Sequence, residues 1–174
     1  HIARGWLLEN AELDWAGATR EYQAAMRLAP ELMQNRFSVG SMLALQGQLQ
    51  EGVRLGREAL ASDPLAGTWW TWLAAWLSAL GQLEEAEGAI RKAIQLKPGS
   101  SGAWAQLTII QIQRGDTKAA LEAAMREPEG VWREIAMAMA LQVGNDRSAA
   151  DAALETGTID PLRGSQLRKP LFEY

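Results

Sequence analysis

The spacing of three prolines constrains the fold of this chain more than any other feature. Pro30, Pro64 and Pro98 follow one another at intervals of 34 residues, and each ends a similar segment: AAMRLAP, REALASDP and RKAIQLKP. A fixed period of this length is typical of repeat proteins. Repeat arrays usually present an extended surface to a partner rather than a catalytic pocket. The period therefore predicts a class of function, binding, without identifying the partner.

Each period has the pattern of two helices joined by a short turn. The first helix of the third unit carries apolar residues at the i, i+3, i+4, i+7 spacing of one helix face: Trp70, Leu73, Ala74 and Leu77. Gly81 interrupts this pattern, which resumes at Leu83 and stops at Pro98. Neither helix can bury its apolar face alone, so successive pairs must stack. The sequence predicts an all-α solenoid of about five antiparallel helix pairs.

The units differ in how well they keep the pattern. The first keeps only its second helix clearly, because the segment from Trp6 to Glu12 is irregular. Pro128 cuts the second helix of the fourth unit short, and the fifth unit begins near Val131. The tail from residue 156 has no repeat pattern. We therefore predict a helical repeat domain over 1–155 and an irregular C-terminal segment over 156–174.

Composition excludes several classes of function. The net charge is −4 and the pI is about 5.1, whereas a nucleic-acid-binding protein usually carries a basic face, so we expect no nucleic-acid partner. No apolar run approaches the roughly 18 to 20 residues of a membrane span, so we expect no membrane partner. The absence of cysteine excludes disulfides. No signal peptide is visible. These features favour a cytoplasmic location, with the periplasm as the alternative.

Catalysis has little support in the sequence. The single histidine is His1, so the common catalytic triads and zinc sites lack their residues. The glycine-rich segment KPGSSGAW lacks the Gly-Lys-Ser/Thr ending of a phosphate-binding loop and lies where a turn between repeats is needed. We expect no enzyme activity, no cofactor and no metal.

The repeats resemble the tetratricopeptide repeat (TPR), whose pattern has Trp, Leu-Gly and Tyr in one helix, Ala and Phe in the next, and a closing Pro. The matching positions of the third unit are Trp70, Leu73, Ala74, Leu77, Ala86, Ile90 and Pro98. The resemblance covers roughly residues 12 to 155 and implies a right-handed superhelical solenoid. The segment EPEGVWREIAMAMAL is also similar to the shortened repeats of bacterial regulatory proteins that join such arrays to DNA-binding or nucleotide-cyclase domains.

Four tryptophans in the third unit allow two interpretations. Trp70 falls in the apolar stripe, while Trp69, Trp72 and Trp76 form a second stripe beside it. The favoured interpretation is packing on the preceding unit, where Gly52 and Gly56 replace the alanine and large aromatic usual in the family. The alternative is an aromatic lip on a binding groove, because tryptophan is enriched at binding hot spots.

The resemblance also implies a binding groove, because the first helix of each pair lines the concave surface of such arrays. The corresponding inward positions are Gln34, Phe37, Ser41, Thr68, Thr71, Ala75, Ser78, Ala105, Ile109, Ile112, Glu134 and Ala138. They lack the basic residues and asparagine with which some members clamp acidic chaperone tails. They suit a helix or an extended apolar peptide instead. Phe37 and Ile109, the largest apolar side chains in the set, are the expected anchors.

The predicted function is a protein–protein interaction scaffold that binds a peptide or helix of a protein partner in this groove. The alternative is a self-association module that forms a homodimer within a larger regulatory protein. The tryptophan stripe, Met137 and Met139 would support that alternative if they are exposed.

Overall fold

The computed structural model describes residues 1–144 and residue 150. This part of the chain contains nine α-helices and no strand. Their bounds are α1 Ile2–Asn10, α2 Trp15–Leu28, α3 Met33–Leu45, α4 Leu49–Ser62, α5 Gly67–Ala79, α6 Leu83–Leu96, α7 Ala103–Gln113, α8 Thr117–Arg126 and α9 Val131–Val143. The helices form four consecutive pairs, and α9 begins a fifth. The predicted boundary between residues 155 and 156 lies outside the described residues, as does the second helix predicted for the fifth unit, apart from Ala150.

The first unit is more regular than its sequence indicates. The segment predicted to be irregular is the helix α1, which packs against α2. The contacts between the two helices cannot be inferred from the periodicity of either one. The ring of Tyr22 lies directly beneath Gly5, where an added Cβ would approach Cε1 to 2.6 Å. The Tyr22 hydroxyl donates a hydrogen bond to Glu9 at 2.8 Å. The prediction that the first unit lacks a clear first helix is therefore wrong.

A left-handed residue marks the turn inside each pair. Gly47, Gly81 and Gly115 follow one another at the repeat period and have φ values of +84°, +74° and +78°. Glycine adopts this conformation without the steric penalty that a Cβ brings. The equivalent position between α1 and α2 is Leu13, with φ +53°. Leu13 is the only non-glycine residue with positive φ in the described part of the chain.

The prolines end the second helices as predicted. The helices α2, α4 and α6 stop at Leu28, Ser62 and Leu96, each two residues before one of the three regularly spaced prolines. A residue that precedes proline is restricted to extended conformations, so the helix cannot continue into it. The predicted early end of α8 is also confirmed, since this helix stops at Arg126, before Pro128.

An aromatic stack joins the second unit to the third. Phe37 of α3 stacks on Trp69 and Trp76 of α5, with ring centroids 4.9 and 5.3 Å apart. Trp76 is buried and its indole lies over Gly56 of α4, where an added Cβ would be 2.9 Å from Cζ3 of the ring. The packing interpretation of the tryptophan stripe is therefore confirmed for Trp69 and Trp76.

Gly52 has a different role from the one predicted. No indole covers it. An added Cβ would instead approach the Gly40 carbonyl oxygen and the Ala44 Cβ, each at 2.9 Å. Gly52 thus allows α3 and α4 of one unit to approach closely, and the pairing of Gly52 with the tryptophans is wrong.

Candidate functional site

A pocket of about 300 Å³ lies between the first helices of three successive units. Its walls come from α5, α7 and the start of α9, and the loop between α6 and α7 closes one end. The lining residues are Thr68, Thr71, Trp72, Ala75, Ser100, Ser101, Gly102, Ala105, Gln106, Ile109 and Trp132. None of these side chains carries a charge. The pocket can therefore bind through apolar contact and hydrogen bonds, and it has no charged group of its own to pair with an ion.

Two half-exposed tryptophans give the pocket its apolar surface. Trp72 is 45% exposed and Trp132 is 50% exposed, whereas Trp76, one turn along α5 from Trp72, is buried. The lip interpretation of the tryptophan stripe thus fits Trp72 alone among the three residues. Neither indole N–H of Trp72 or Trp132 donates a hydrogen bond to another described residue, so both can donate to a ligand.

A buried carboxylate fixes the closed end of the pocket. Glu127, only 1% exposed, follows the last residue of α8. Its two carboxylate oxygens accept hydrogen bonds from the backbone N–H groups of Gly102 and Ala105, at 2.5 and 2.8 Å. These N–H groups belong to the start of α7, whose first turn has no acceptor within the helix. Glu127 therefore caps α7 and holds the loop in place.

Trp132 depends on this loop for its position. Gly102 has φ +88°, and an added Cβ there would be 3.9 Å from three atoms of the Trp132 indole. The ring thus lies over Gly102, whose backbone Glu127 holds. Because Glu127 fixes the loop at Gly102, the Trp132 indole packs on a backbone segment that is held in place.

The structure brings five of the predicted groove residues together. They are Thr68, Thr71, Ala75, Ala105 and Ile109, and they come from α5 and α7. Ile109 is partly exposed and available as an anchor, whereas the small side chain of Ala105 is buried. Gln106, which was not predicted, also lines the pocket.

The other predicted positions lie outside this pocket. Gln34 is exposed, and Ser41, Ile112 and Glu134 are partly exposed. Ala138 is buried, and so is Ser78, which donates a hydrogen bond to Gln113 at 2.6 Å.

Phe37 is not available as an anchor. It is 6% exposed because Trp69 and Trp76 cover its ring, so it belongs to the core between units. The expectation that Phe37 anchors a ligand is therefore corrected by its burial.

Sequence reasoning missed Trp132 and the loop of Ser100, Ser101 and Gly102. The first helices α3, α5, α7 and α9 begin at residues 33, 67, 103 and 131, so the last interval is shorter than the others. The start of the fifth unit near Val131 was predicted correctly, but the inward positions assigned to its first helix were Glu134 and Ala138 and did not include Trp132. The sequence does show a tryptophan soon after Gly130, at the start of a helix. Spacing alone could not predict that this side chain lines the pocket.

Two further observations limit the chemistry of the described residues. No helix in residues 1–144 combines the length and apolarity needed to cross a bilayer. The same part of the chain has no group of three or more His, Cys, Asp or Glu side chains placed to hold a metal ion. The cytoplasmic location stays a prediction.

Comparison with known proteins identifies the fold. No protein-family model and no curated protein sequence matches the chain. Among solved structures, TTC0263, a thermophilic TPR protein of Thermus thermophilus, has a TM-score of 0.83 at 15% identity, covering 98% of this chain and 94% of its own. The chain has the tetratricopeptide repeat fold.

Two other TPR-like structures support the same fold. MamA from Desulfovibrio magneticus RS-1 has a TM-score of 0.71 at 17% identity, with 88% of each chain covered. A tetratricopeptide repeat protein from Parabacteroides merdae ATCC 43184 has a TM-score of 0.71 at 18% identity, covering 93% of this chain and 66% of its own. This TPR chain thus shares architecture with these proteins while little of its sequence is the same. The link to bacterial regulatory proteins stays a prediction.

Proposed function

We propose that this TPR array is a protein–protein interaction scaffold that binds a peptide or helix of a partner on its concave side, at the pocket between α5, α7 and α9. The observation that supports this most is the placement of two half-exposed indoles, Trp72 and Trp132, in an uncharged pocket. Tryptophans in such positions are enriched among the residues that dominate binding energy. With Ile109 as a third apolar contact, the pocket offers a compact anchor site.

The chemistry of the lining residues favours binding over catalysis. Nucleophilic or general-acid catalysis needs a positioned titratable group within hydrogen-bond reach of the reacting atoms. The lining of this pocket includes none, and the buried carboxylate of Glu127 already accepts two backbone hydrogen bonds. Binding through apolar burial should depend little on ionic strength, because screening acts on charges.

A random peptide library tests this proposal. Peptides are selected against the intact chain and then tested against Ile109→Asp, which introduces a charge into the pocket. A matched control is Leu65→Asp, at an exposed leucine in the α4–α5 connection outside the pocket lining. We expect selected peptides to lose binding to Ile109→Asp and to keep it with Leu65→Asp. Circular dichroism checks that both variants remain helical.

Two results would contradict the proposal. One is a library that yields no peptide sensitive to Ile109→Asp. The other is a steep loss of affinity between about 0.05 and 0.5 M salt, which would place binding on a charged outer surface.

Self-association is the second candidate, and Trp72 and Trp132 are the exposed indoles that favour it. The tryptophan stripe offers less surface than the sequence indicates, because Trp76 is buried and Trp69 is partly buried against Phe37. Met137 is only partly exposed. Light scattering over a range of protein concentrations separates the two functions. A dimer that dissociates in the Trp72→Ala variant would favour self-association.

A further inference from the structure

We propose that the pocket selects an uncharged, proline-containing segment in an extended polyproline II conformation, with proline rings packed on Trp72 and Trp132. The proposal rests on the function proposed above and specifies the class of ligand. It follows from three properties of the pocket: the kind of hydrogen-bonding groups it presents, the absence of charge, and the half-exposed indole surfaces.

The hydrogen-bonding groups of the pocket are rich in donors. The indole N–H groups of Trp72 and Trp132 donate and cannot accept. The side-chain amide of Gln106 and the hydroxyls of Thr68 and Ser101 can donate as well as accept, so the two indoles tip the balance toward donors. A helical ligand already uses most of its carbonyl oxygens in internal hydrogen bonds. A polyproline II segment has no internal hydrogen bonds and presents free carbonyl oxygens. The extended ligand therefore matches these donors better.

The pocket also disfavours an acidic ligand. The start of a helix usually attracts an anion, because its N–H groups and dipole are both favourable there. At the start of α7 this position is already taken, since Glu127 accepts hydrogen bonds from Gly102 and Ala105. A ligand carboxylate placed at the start of α7 would meet a second negative charge instead of free N–H groups. No lysine or arginine lines the pocket to compensate for it.

The indole surfaces favour proline among uncharged residues. Aromatic-lined grooves recognise proline-rich segments, because the polyproline II helix is preformed and loses little entropy on binding. The underside of the Trp132 ring is supported by Gly102. With 50% of Trp132 and 45% of Trp72 exposed, both rings retain surface on which a flat, apolar proline ring can pack.

Isothermal titration calorimetry with three synthetic peptides tests the proposal. All are acetylated and amidated and about twelve residues long, built from repeats of Ala-Pro-Pro, of Ala-Ala-Gln, or of Asp-Pro-Pro. The second is uncharged and compatible with a helix, and the third adds charge to the same extended backbone. We expect the Ala-Pro-Pro peptide to bind about tenfold or more tightly than the other two.

Three variants assign the binding to the pocket. We expect Trp72→Ala and Trp132→Ala each to weaken the Ala-Pro-Pro peptide about tenfold, as truncation of a hot-spot residue does. The matched control is Trp15→Ala, because Trp15 is 49% exposed on α2, outside the pocket. This control should change affinity by less than about twofold, within the range of energetically near-neutral positions.

The possible failures are distinguishable. If the Asp-Pro-Pro peptide binds as tightly as Ala-Pro-Pro and depends on Trp72, the preference for an uncharged ligand is wrong. If the Ala-Ala-Gln peptide does so, the groove binds peptides but the preference for proline is wrong. The same conclusion follows if library peptides sensitive to Ile109→Asp lack proline. If Ala-Pro-Pro binding survives loss of both indoles, the assignment to this pocket is overturned. If the library yields no peptide sensitive to Ile109→Asp and none of the three synthetic peptides binds, the proposed function is wrong as well.

Discussion

Replacing Leu13 with glycine should stabilise the α1–α2 pair, although the substitution removes a large side chain. Leu13 has φ +53° at the turn where the next three units have glycine. A Cβ in the left-handed region lies too close to a carbonyl oxygen, which costs roughly 1 to 2 kcal/mol. Because Leu13 is 53% exposed, its replacement sacrifices only part of the apolar contact of a buried leucine.

The expected gain is one favourable term less two unfavourable ones, of which the first is the partial apolar contact that Leu13 loses. Glycine removes the left-handed penalty of roughly 1 to 2 kcal/mol. Glycine also makes the unfolded chain more flexible, which opposes folding by roughly 0.4 to 1 kcal/mol. These ranges leave about 0 to 1.6 kcal/mol, and the lost contact of Leu13 lowers the upper part of that range. We expect a net stabilisation of about 0.5 to 1 kcal/mol, equivalent to a two- to fivefold decrease in local opening.

Amide hydrogen exchange, read separately for α1 and α2, measures this local change. Protection of both helices should increase about two- to fivefold in Leu13→Gly. The matched control is Leu65→Gly, at another exposed leucine in a connection between helices but without positive φ. Only the unfolded-state term applies there, so protection of the adjacent helices should decrease. Unchanged or reduced protection in Leu13→Gly would refute the reasoning.

Three further predictions concern stability. Trp76→Ala should lower the free energy of unfolding by about 3 to 5 kcal/mol because it leaves a cavity in the core, whereas Trp72→Ala should lower it by less than about 1 kcal/mol. Urea denaturation measures both free energies, and equal losses would contradict the assigned burial. Glu127→Ala should lower it by about 2 to 4 kcal/mol because two N–H groups of α7 lose their acceptor; unchanged amide exchange in the first turn of α7 would argue against the cap. Burial acts to raise the pKa of Glu87, but hydrogen bonds from Arg91 and Gln111 and the positive charge of Arg91 and Arg114 outweigh it and hold the pKa below its usual range. Because the pKa is lower in the folded state, this contribution is present above the unfolded pKa and is lost as the pH falls through the folded pKa. Glu87→Gln should therefore show a shallower acid loss of stability than the parent chain, and parallel pH profiles would count against it.

The repeat fold could be predicted from the sequence because its determinants are local. Proline spacing, turn glycines and helical periodicity each depend on residues within one unit. The corner at Leu13 could not be predicted, because leucine gives no turn signal and adopts positive φ only when its neighbours impose it. The regularity of α1 could not be predicted for a related reason: its partner Tyr22 lies on the next helix, and periodicity within α1 does not record this contact.

The candidate site was predicted in part. Thr68, Thr71 and Ala75 follow from the regular register of α5, and the pocket contains all three. The separation of Trp72 from Trp76 could not be predicted, because residues four apart share one helix face. What separates them is the preceding unit: Trp76 lies over Gly56, where no side chain occupies the space. Trp132 was missed because the groove positions assigned to α9 began at Glu134, whereas the pocket contacts this helix at its start.

The cap that Glu127 forms on α7 has a consequence for protein engineering. Repeat arrays are commonly shortened, lengthened or recombined at unit boundaries, on the assumption that each unit contacts its neighbours only through helix faces. Here Glu127, in the connection after α8, supplies the hydrogen-bond acceptor for the first turn of α7. The backbone of Gly102, which Glu127 holds, supports Trp132 of the following unit. A chimaera that replaced α8 with a full-length consensus helix would retain every lining residue of the pocket and still lose its closed end. Residues 102–132 should therefore be transplanted as one cassette.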